Sequence, residues 1–201
     1  YARLGGYGGS IILIRNGIKY IPLSQLSDIS IEKCCELAGV FIPSINTFIV
    51  VIYRPPSGNF YHFVSNLANV FSYIDTLTCN VVKGGDFNVK FNSNDAFKIG
   101  ICGLFKSFTL ECCSNVPTRY NNCLDTVFTN ILKNRYSISH CDSLLSDHDA
   151  ILFMMNTEDV PDDKTVITNI RPITQIGKYK LFNYLSKLDF SFIDNEEKIR
   201  T

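Results

Sequence analysis

The stretch Val81-Val82-Lys83-Gly84-Gly85-Asp86-Phe87-Asn88-Val89 constrains the chain more than any other. A short apolar run reaches two glycines and then delivers an acid and an amide one residue apart. On an extended backbone, side chains two apart point to the same side. Asp86 and Asn88 therefore stand together at a strand's C-terminal end, with Phe87 turned back into the core. The glycines let another backbone, or a substrate, approach closely. A carboxylate beside a neutral donor and acceptor suits holding and deprotonating a water. The same residues also suit an ordinary turn, and the stretch alone does not separate the two.

Around it lie 201 residues, one moderate domain or one domain with a tail. Hydrophobic residues make up 46%, enough for a sizeable core. A formal net charge of zero gives no global field toward nucleic acid or a membrane surface. That disfavours a dedicated nucleic-acid binder and leaves room for an enzyme with a local basic groove. No apolar run approaches a membrane span, and no stretch reads as a secretory leader. The cysteines at 34, 35, 79, 102, 112, 113, 123 and 141 include two adjacent pairs and no CxxC spacing, which argues against a zinc site. Most sit in apolar stretches, where free Cys behaves as a small hydrophobe. A reducing compartment is expected, although an even number leaves a disulfide framework formally open.

Along the chain, Ile11 to Ile14 and Ile18 to Leu23 read as strands, the second near an edge because of Pro22. Ile31 to Val40 is ambiguous between helix and strand. Phe48 to Tyr53 is a continuous β-branched and aromatic run, the mark of a strand covered on both faces. Arg54-Pro55-Pro56-Ser57-Gly58-Asn59 must be a loop. Phe60, Phe63, Val64, Leu67, Val70, Phe71 and Ile74 recur at helical spacing and predict an amphipathic helix, with His62 off the stripe. Residues 95 to 110 look helical despite Gly100 and Gly103. Cys123 to Phe128 and Ala150 to Met155 read as strands, and Lys133 and Arg135 as part of a basic loop. Strand, loop, helix and strand in this order predict a layered α/β arrangement. From Asn156 the character changes: Glu158 to Asp163 reads as a linker and 176 to 193 as a weak helical stripe. A domain boundary is placed near 156.

Four polar clusters punctuate the apolar strands: Tyr53-Arg54, Asp86 with Asn88, Asp125, and Ser146-Asp147-His148. In layered folds strand ends converge on one rim, so these groups could line one pocket. Singly each has a plainer reading: a hydrogen-bonded structural histidine at 148, a turn cap at Asp125, a core tyrosine, a solvated arginine. Jointly they hold a base, an acid, an orienting carboxylate and a metal-capable acid, with no serine or cysteine placed as nucleophile. That is equipment for metal-assisted hydrolysis by activated water.

GGDFN at 84–88, SDH at 146–148, LDTVFTN at 124–130, PTR at 117–119 and IYRPPSG at 52–58 resemble the endonuclease/exonuclease/phosphatase (DNase I-like) superfamily. Within it, the YRPP form, the PTR loop and the tail resemble the endonuclease domain of non-LTR (LINE-type) retrotransposons, over roughly residues 3 to 155. The resemblance implies a four-layer α/β sandwich, two packed sheets flanked by helices. It implies that Asp86 orients and deprotonates the attacking water, while Asn88 holds that water and a phosphate oxygen. His148 would contact the scissile phosphate and Asp125 would fix its tautomer. Asp147 would lie at the metal or leaving oxygen, and Tyr53 would bond the phosphate on the leaving-group side. Arg54, Thr118, Arg119 and Ser146 would contact the DNA backbone or support the site. The implied chemistry is in-line displacement at a phosphodiester with Mg²⁺ or Mn²⁺. It leaves a 3′-hydroxyl for a reverse transcriptase that follows in cis after the tail. DNA is the implied partner, and an intracellular, ultimately nuclear, place of work is expected.

The family's first strands supply an Asn and a metal-binding Glu upstream of the glycine-rich stretch matched at residues 3–9. Neither has a match here, and Glu32 and Glu36 come too late in the chain to stand in. The resemblance therefore leads us to expect a piece of a longer domain, with sheet edge exposed and activity absent or impaired. Two further readings stay open: a phosphatase of inositol phosphates or phospholipid headgroups, and a non-catalytic remnant binding DNA weakly through Arg54, Lys90, Arg119, Lys133 and Arg135.

Overall fold

The structure, a computed structural model, describes residues 1–3, 8–74 and 76–156. The expected linker and helical tail beyond Asn156 lie outside the described residues. In chain order the elements are β1 (Ile21–Pro22), α1 (Ser24–Asp28), β2 (Glu36–Ile42), β3 (Thr47–Tyr53), α2 (Phe60–Val70), β4 (Asn80–Asp86), α3 (Ala96–Ser107), β5 (Glu111–Cys112), β6 (Asp125–Thr129), β7 (Tyr136–Cys141) and β8 (Ala150–Met155). Leu144–Ser146 falls outside the compact unit formed by the other described residues.

Six strands form one sheet in the order β1-β2-β3-β4-β6-β5, and β7 pairs with β8 in a second. Only β3 and β4 run parallel. A parallel pair needs a crossover, and α2 supplies it. The helix starts where Asn59 accepts the His62 N–H at 3.0 Å, and it buries Phe63, Leu67 and Val70 on the sheet. On α3, Asp95 caps the start and Ile101 and Phe105 face inward. The helix runs through Gly100 and Gly103, where an added Cβ would meet only ordinary contact or open space.

One face of the large sheet, carrying Leu37, Val50, Ile52, Val81 and Phe128, packs against these helices. Phe87 sits at the centre of that core, edge-on to Phe63, Phe91, Phe105 and Phe128 with centroids 5.4 to 6.3 Å apart. Burying a ring of this size stabilises by about 1.5–3 kcal/mol. It also pins the turn that carries Asp86 and Asn88. The opposite face carries Ile49, Val51, Val82, Gly84 and Val127. With Ile151 of β8 it bounds a cleft of about 300 Å³ whose lining includes Asp125 and Asp149.

Some expectations are corrected. Neither Ile11–Ile14 nor Ile18–Leu23 forms a full strand; only Ile21 and Pro22 pair, with Phe41 and Val40. The alternation there has no ladder to join among the described residues, and Ile11 and Leu13 stay exposed. The ambiguous 31–40 segment becomes a turn and the first half of β2. The strand β3 buries Val50 and Ile52 on its helix side, and Ile49, Val51 and Tyr53 are half-buried on the other. The basic loop at Lys133–Arg135 is a single 3-10 turn leading into β7, a strand hidden by its serines and histidine. All eight cysteines are free thiols.

Two positions make the local physics testable. Gly85 has φ +149°, and a Cβ there would collide with the backbone carbonyl of Ile52. Gly85→Ala is expected to destabilise the chain by about 3 kcal/mol or more. At Gly84 an added Cβ meets only the Val127 Cγ2 at 3.3 Å, so Gly84→Ala should lose far less in chemical denaturation. Lys83 is wholly buried; its Nζ lies 3.3 Å from the Phe71 ring centroid and has no hydrogen-bond partner among the described residues. Burial pushes its ammonium down to about 7 from 10.5. Between those values the unfolded chain holds a proton that the folded chain lacks, so stability climbs with pH, and the penalty is full below about 7. Lys83→Met is expected to stabilise the fold at neutral pH by about 1–3 kcal/mol. In urea melts across pH its margin over the parent should be widest in acid and shrink toward pH 10; a flat margin would contradict a charged buried Lys83.

Candidate active site

Strand register puts four polar side chains in one line. Glu36 stands opposite Tyr53, Tyr53 opposite Asp86, and Asp86 opposite Asp125. Directly opposed residues share a face, and this face is the one turned away from the helices. Sequence separations of 17, 33 and 39 residues thus collapse onto adjacent rungs of four neighbouring strands.

At the end of β4 the chain turns back on itself. Asn88 adopts φ +47°, its backbone N–H donates to Asp86 Oδ1 at 2.9 Å, and its side-chain amide donates to Asp86 Oδ2 at 3.0 Å and to the Arg54 carbonyl at 2.8 Å. Both amide protons are thereby committed. Asn88 grips Asp86 instead of presenting N–H groups to a phosphate, and its Oδ1 is the atom left to accept from water. Burial, and then the neighbouring Asp125 charge, push the Asp86 carboxyl up to about 6; the Asn88 hydrogen bonds and His148 pull the other way.

Arg54, expected on the DNA backbone, is buried and used internally. Its guanidinium donates to the carbonyls of Gly58 at 2.7 Å, Asn88 at 3.2 Å and Phe87 at 3.3 Å. Burial lowers its pKa. Together with the Arg54 N–H to Asp86 carbonyl bond at 2.9 Å, this latches the YRPP loop onto the GGDFN turn. The loop is rich in Pro and Gly and offers no strand partner, so its carbonyls and those of the turn need a donor with several N–H groups. Arginine has five.

The third group forms around Asp125. Its Oδ2 accepts from the Thr118 hydroxyl at 2.6 Å and meets His148 Nδ1 at 2.7 Å. Thr118 Oγ1 in turn accepts the N–H groups of Leu124 and Asp125, both at 3.1 Å, and the Thr118 carbonyl accepts from the Asp149 N–H at 2.7 Å. Thr118 is 1% exposed. It therefore supports Asp125 and the histidine loop, the second of the two roles expected of it. His148 and Asp125 are each about a fifth exposed at the side chain, so the pair borders solvent.

Asp147 turns the other way. Its Oδ2 takes Arg119 Nε at 2.7 Å and Nη2 at 2.6 Å, which holds its carboxyl below the usual range. It is absent from the one group of metal-capable side chains found among the described residues: Asp86, Asp125 and His148, with ligand atoms within 4.8 Å of one another. Two guanidinium nitrogens converging on that one oxygen account for the diversion. Arg119 and Asp147 form a surface pair at the rim. Ser146 is exposed and falls outside the compact unit that holds this cluster, so no contact between the two is described.

Two residues at the site escaped the reading of the sequence. Glu36, set aside there as misplaced for metal binding, is fully buried at the end of the row, and Arg3 Nε donates to it at 2.7 Å. An acid opening an otherwise apolar strand was the available signal for Glu36; nothing local announces its partner, 33 residues away.

No family profile matches the chain, and no curated protein matches it. Among solved structures it is similar to the endonuclease domain of TRAS1, a telomere-specific non-LTR retrotransposon. The TM-score is 0.59 and the identity 18%, over 73% of this chain and 72% of that one. The helices, the six-stranded mixed sheet and the small second sheet accordingly give this chain the α/β sandwich fold of that endonuclease domain.

Proposed function

We propose that the chain is a phosphodiester hydrolase that nicks DNA, the endonuclease part of a non-LTR retrotransposon. The observation that carries the reading is the convergence of Asp86 with the Asp125–His148 pair within one phosphate's reach. The fold it shares with a retrotransposon endonuclease domain supports DNA as the substrate over smaller phosphate esters. In such an element the 3′-hydroxyl left by the nick would prime a reverse transcriptase in cis, and the place of work would be the nucleus.

Asp86 is the base. A buried carboxyl raised to about 6 is ionised at neutral pH and still basic enough to take a proton from water. Asn88 keeps that carboxylate in one orientation and accepts the water's second hydrogen at Oδ1. Asp125 holds His148 by Nδ1, so the opposite ring nitrogen, Nε2, is the one aimed at the phosphate. Thr118 fixes Asp125 in turn. Tyr53, opposite Asp86, hydrogen-bonds a non-bridging oxygen on the leaving side. Hard divalent cations need oxygen ligands, and this donor set fits one: Asp86 and the Asp125 Oδ1, which makes none of the contacts above, are the oxygens available to Mg²⁺ or Mn²⁺. When bound, the ion supplies positive charge to the phosphate as negative charge builds on it.

The test is nicking of supercoiled plasmid by the full chain with Mg²⁺, with soluble phosphate esters in parallel. Asp86→Asn and His148→Ala are each expected to slow nicking by about 10²–10⁴-fold, and Thr118→Val by about 10- to 100-fold through its grip on Asp125. Chelation should abolish the activity of the parent. Cleavage of the small esters with intact plasmid would overturn the DNA reading; a fully active Asp86→Asn would overturn the mechanism.

A further inference from the structure

The row that carries the site continues past Tyr53 to an ion pair with no assigned part in hydrolysis. Glu36 is fully buried; its Oε1 accepts Arg3 Nε at 2.7 Å and the Lys33 N–H at 2.8 Å, while Oε2 has no hydrogen-bond partner among the described residues. Ser10 Oγ donates to the Glu36 carbonyl at 2.9 Å, tying down the same residue from the N-terminal segment. A buried, half-satisfied carboxylate is a poor way to stabilise a strand, since an apolar residue of similar volume serves at least as well. The pair calls for another use.

Its neighbour supplies one. The Arg3 guanidinium lies over the Tyr53 ring, 5.8 Å from the centroid, within cation–π range. Room for it comes from Gly8, where a Cβ would sit 2.5 Å from Arg3 Cζ and where φ is +108°. Arg3 is thus held on three sides, by Glu36, by the Gly8 backbone and by the tyrosine ring. Tyr53 stands between this pair and Asp86 on adjacent rungs.

We propose that Arg3 and Glu36 form a positioning unit for Tyr53, placing its ring by a guanidinium that Glu36 holds over it, so that the phenol meets the phosphate beside Asp86. The inference rests on the nuclease reading above and adds to it two residues that touch neither substrate nor cation. Glu36 holds Arg3, Arg3 holds Tyr53, and Tyr53 touches the phosphate.

The experiment uses the full chain and two readouts. Arg3→Met alone leaves an uncompensated buried carboxylate and risks unfolding, so the working variant is the double Arg3→Met/Glu36→Gln, which removes both charges together. Carbon-13-labelled tyrosine, with the Tyr53 ring assigned by its loss in Tyr53→Phe, reports ring position. Plasmid nicking reports function. The double variant is expected to shift the Tyr53 ring signals and to lower nicking by about 10- to 100-fold. Adding Tyr53→Phe to it should cost little more, because the two changes act through one side chain. Full nicking by the double variant, or losses that multiply independently with Tyr53→Phe, would overturn the positioning role while leaving the nuclease reading intact. If the parent itself does not nick, the outcome expected from the unmatched Asn and Glu, the ring signals alone decide: unshifted signals in the double variant overturn the contact.

Discussion

The closeness of β4 to β3 at Gly85 governs everything downstream of it. No residue with a side chain fits over the Ile52 carbonyl, and with glycine there the two strands pair in parallel from Thr47 and Asn80 to Tyr53 and Asp86. That register, continued through β6 and back through β2, lines up Glu36, Tyr53, Asp86 and Asp125. A slip of one residue in any of these ladders would send a member of the row to the helix side. The site is therefore a property of sheet register before it is a property of loops.

Three carboxylates on one face would repel each other without partners, and each has acquired a different one. Glu36 has the Arg3 guanidinium. Asp125 has the Thr118 hydroxyl and the His148 ring. Asp86 has the neutral amides of Asn88, and burial, followed by the neighbouring Asp125 charge, raises its carboxyl to about 6, as suits a proton acceptor. The division of labour comes from the partners, since the residue types differ by no more than a methylene. Arg54 works on the same principle behind the face, spending its donors on the carbonyls of the two loops that frame Asp86.

Much of this was legible in the sequence, for identifiable reasons. The helix α2 announced itself through a long apolar stripe, β3 through an uninterrupted apolar run, and β4 through a short one that ends on two glycines and an acid; local spacing suffices for such elements. Asp86, Asn88, Asp125 and His148 stood out because each interrupts an apolar strand or ends one. What could not be read was which way a charged side chain turns. Arg54 and Asp147 were expected at substrate and cation, yet one is consumed by loop carbonyls and the other by Arg119. Thr118 read equally as a backbone contact or a support and is a buried brace. Such assignments depend on partners far along the chain. The strands expected at Ile11–Ile14 and Ile18–Leu23 failed for a related reason: alternation marks a segment able to pair, and pairing needs a neighbour.

The central claim is that Asp125 holds His148 by Nδ1 and so points the other ring nitrogen at the phosphate. Nitrogen-15 NMR of the labelled chain reads that tautomer directly. The account expects His148 with its proton on Nδ1, in a short hydrogen bond that gives a low-field proton signal lost in Asp125→Asn. A proton on Nε2 with bare Nδ1, or a His148 spectrum indifferent to Asp125→Asn, would contradict it.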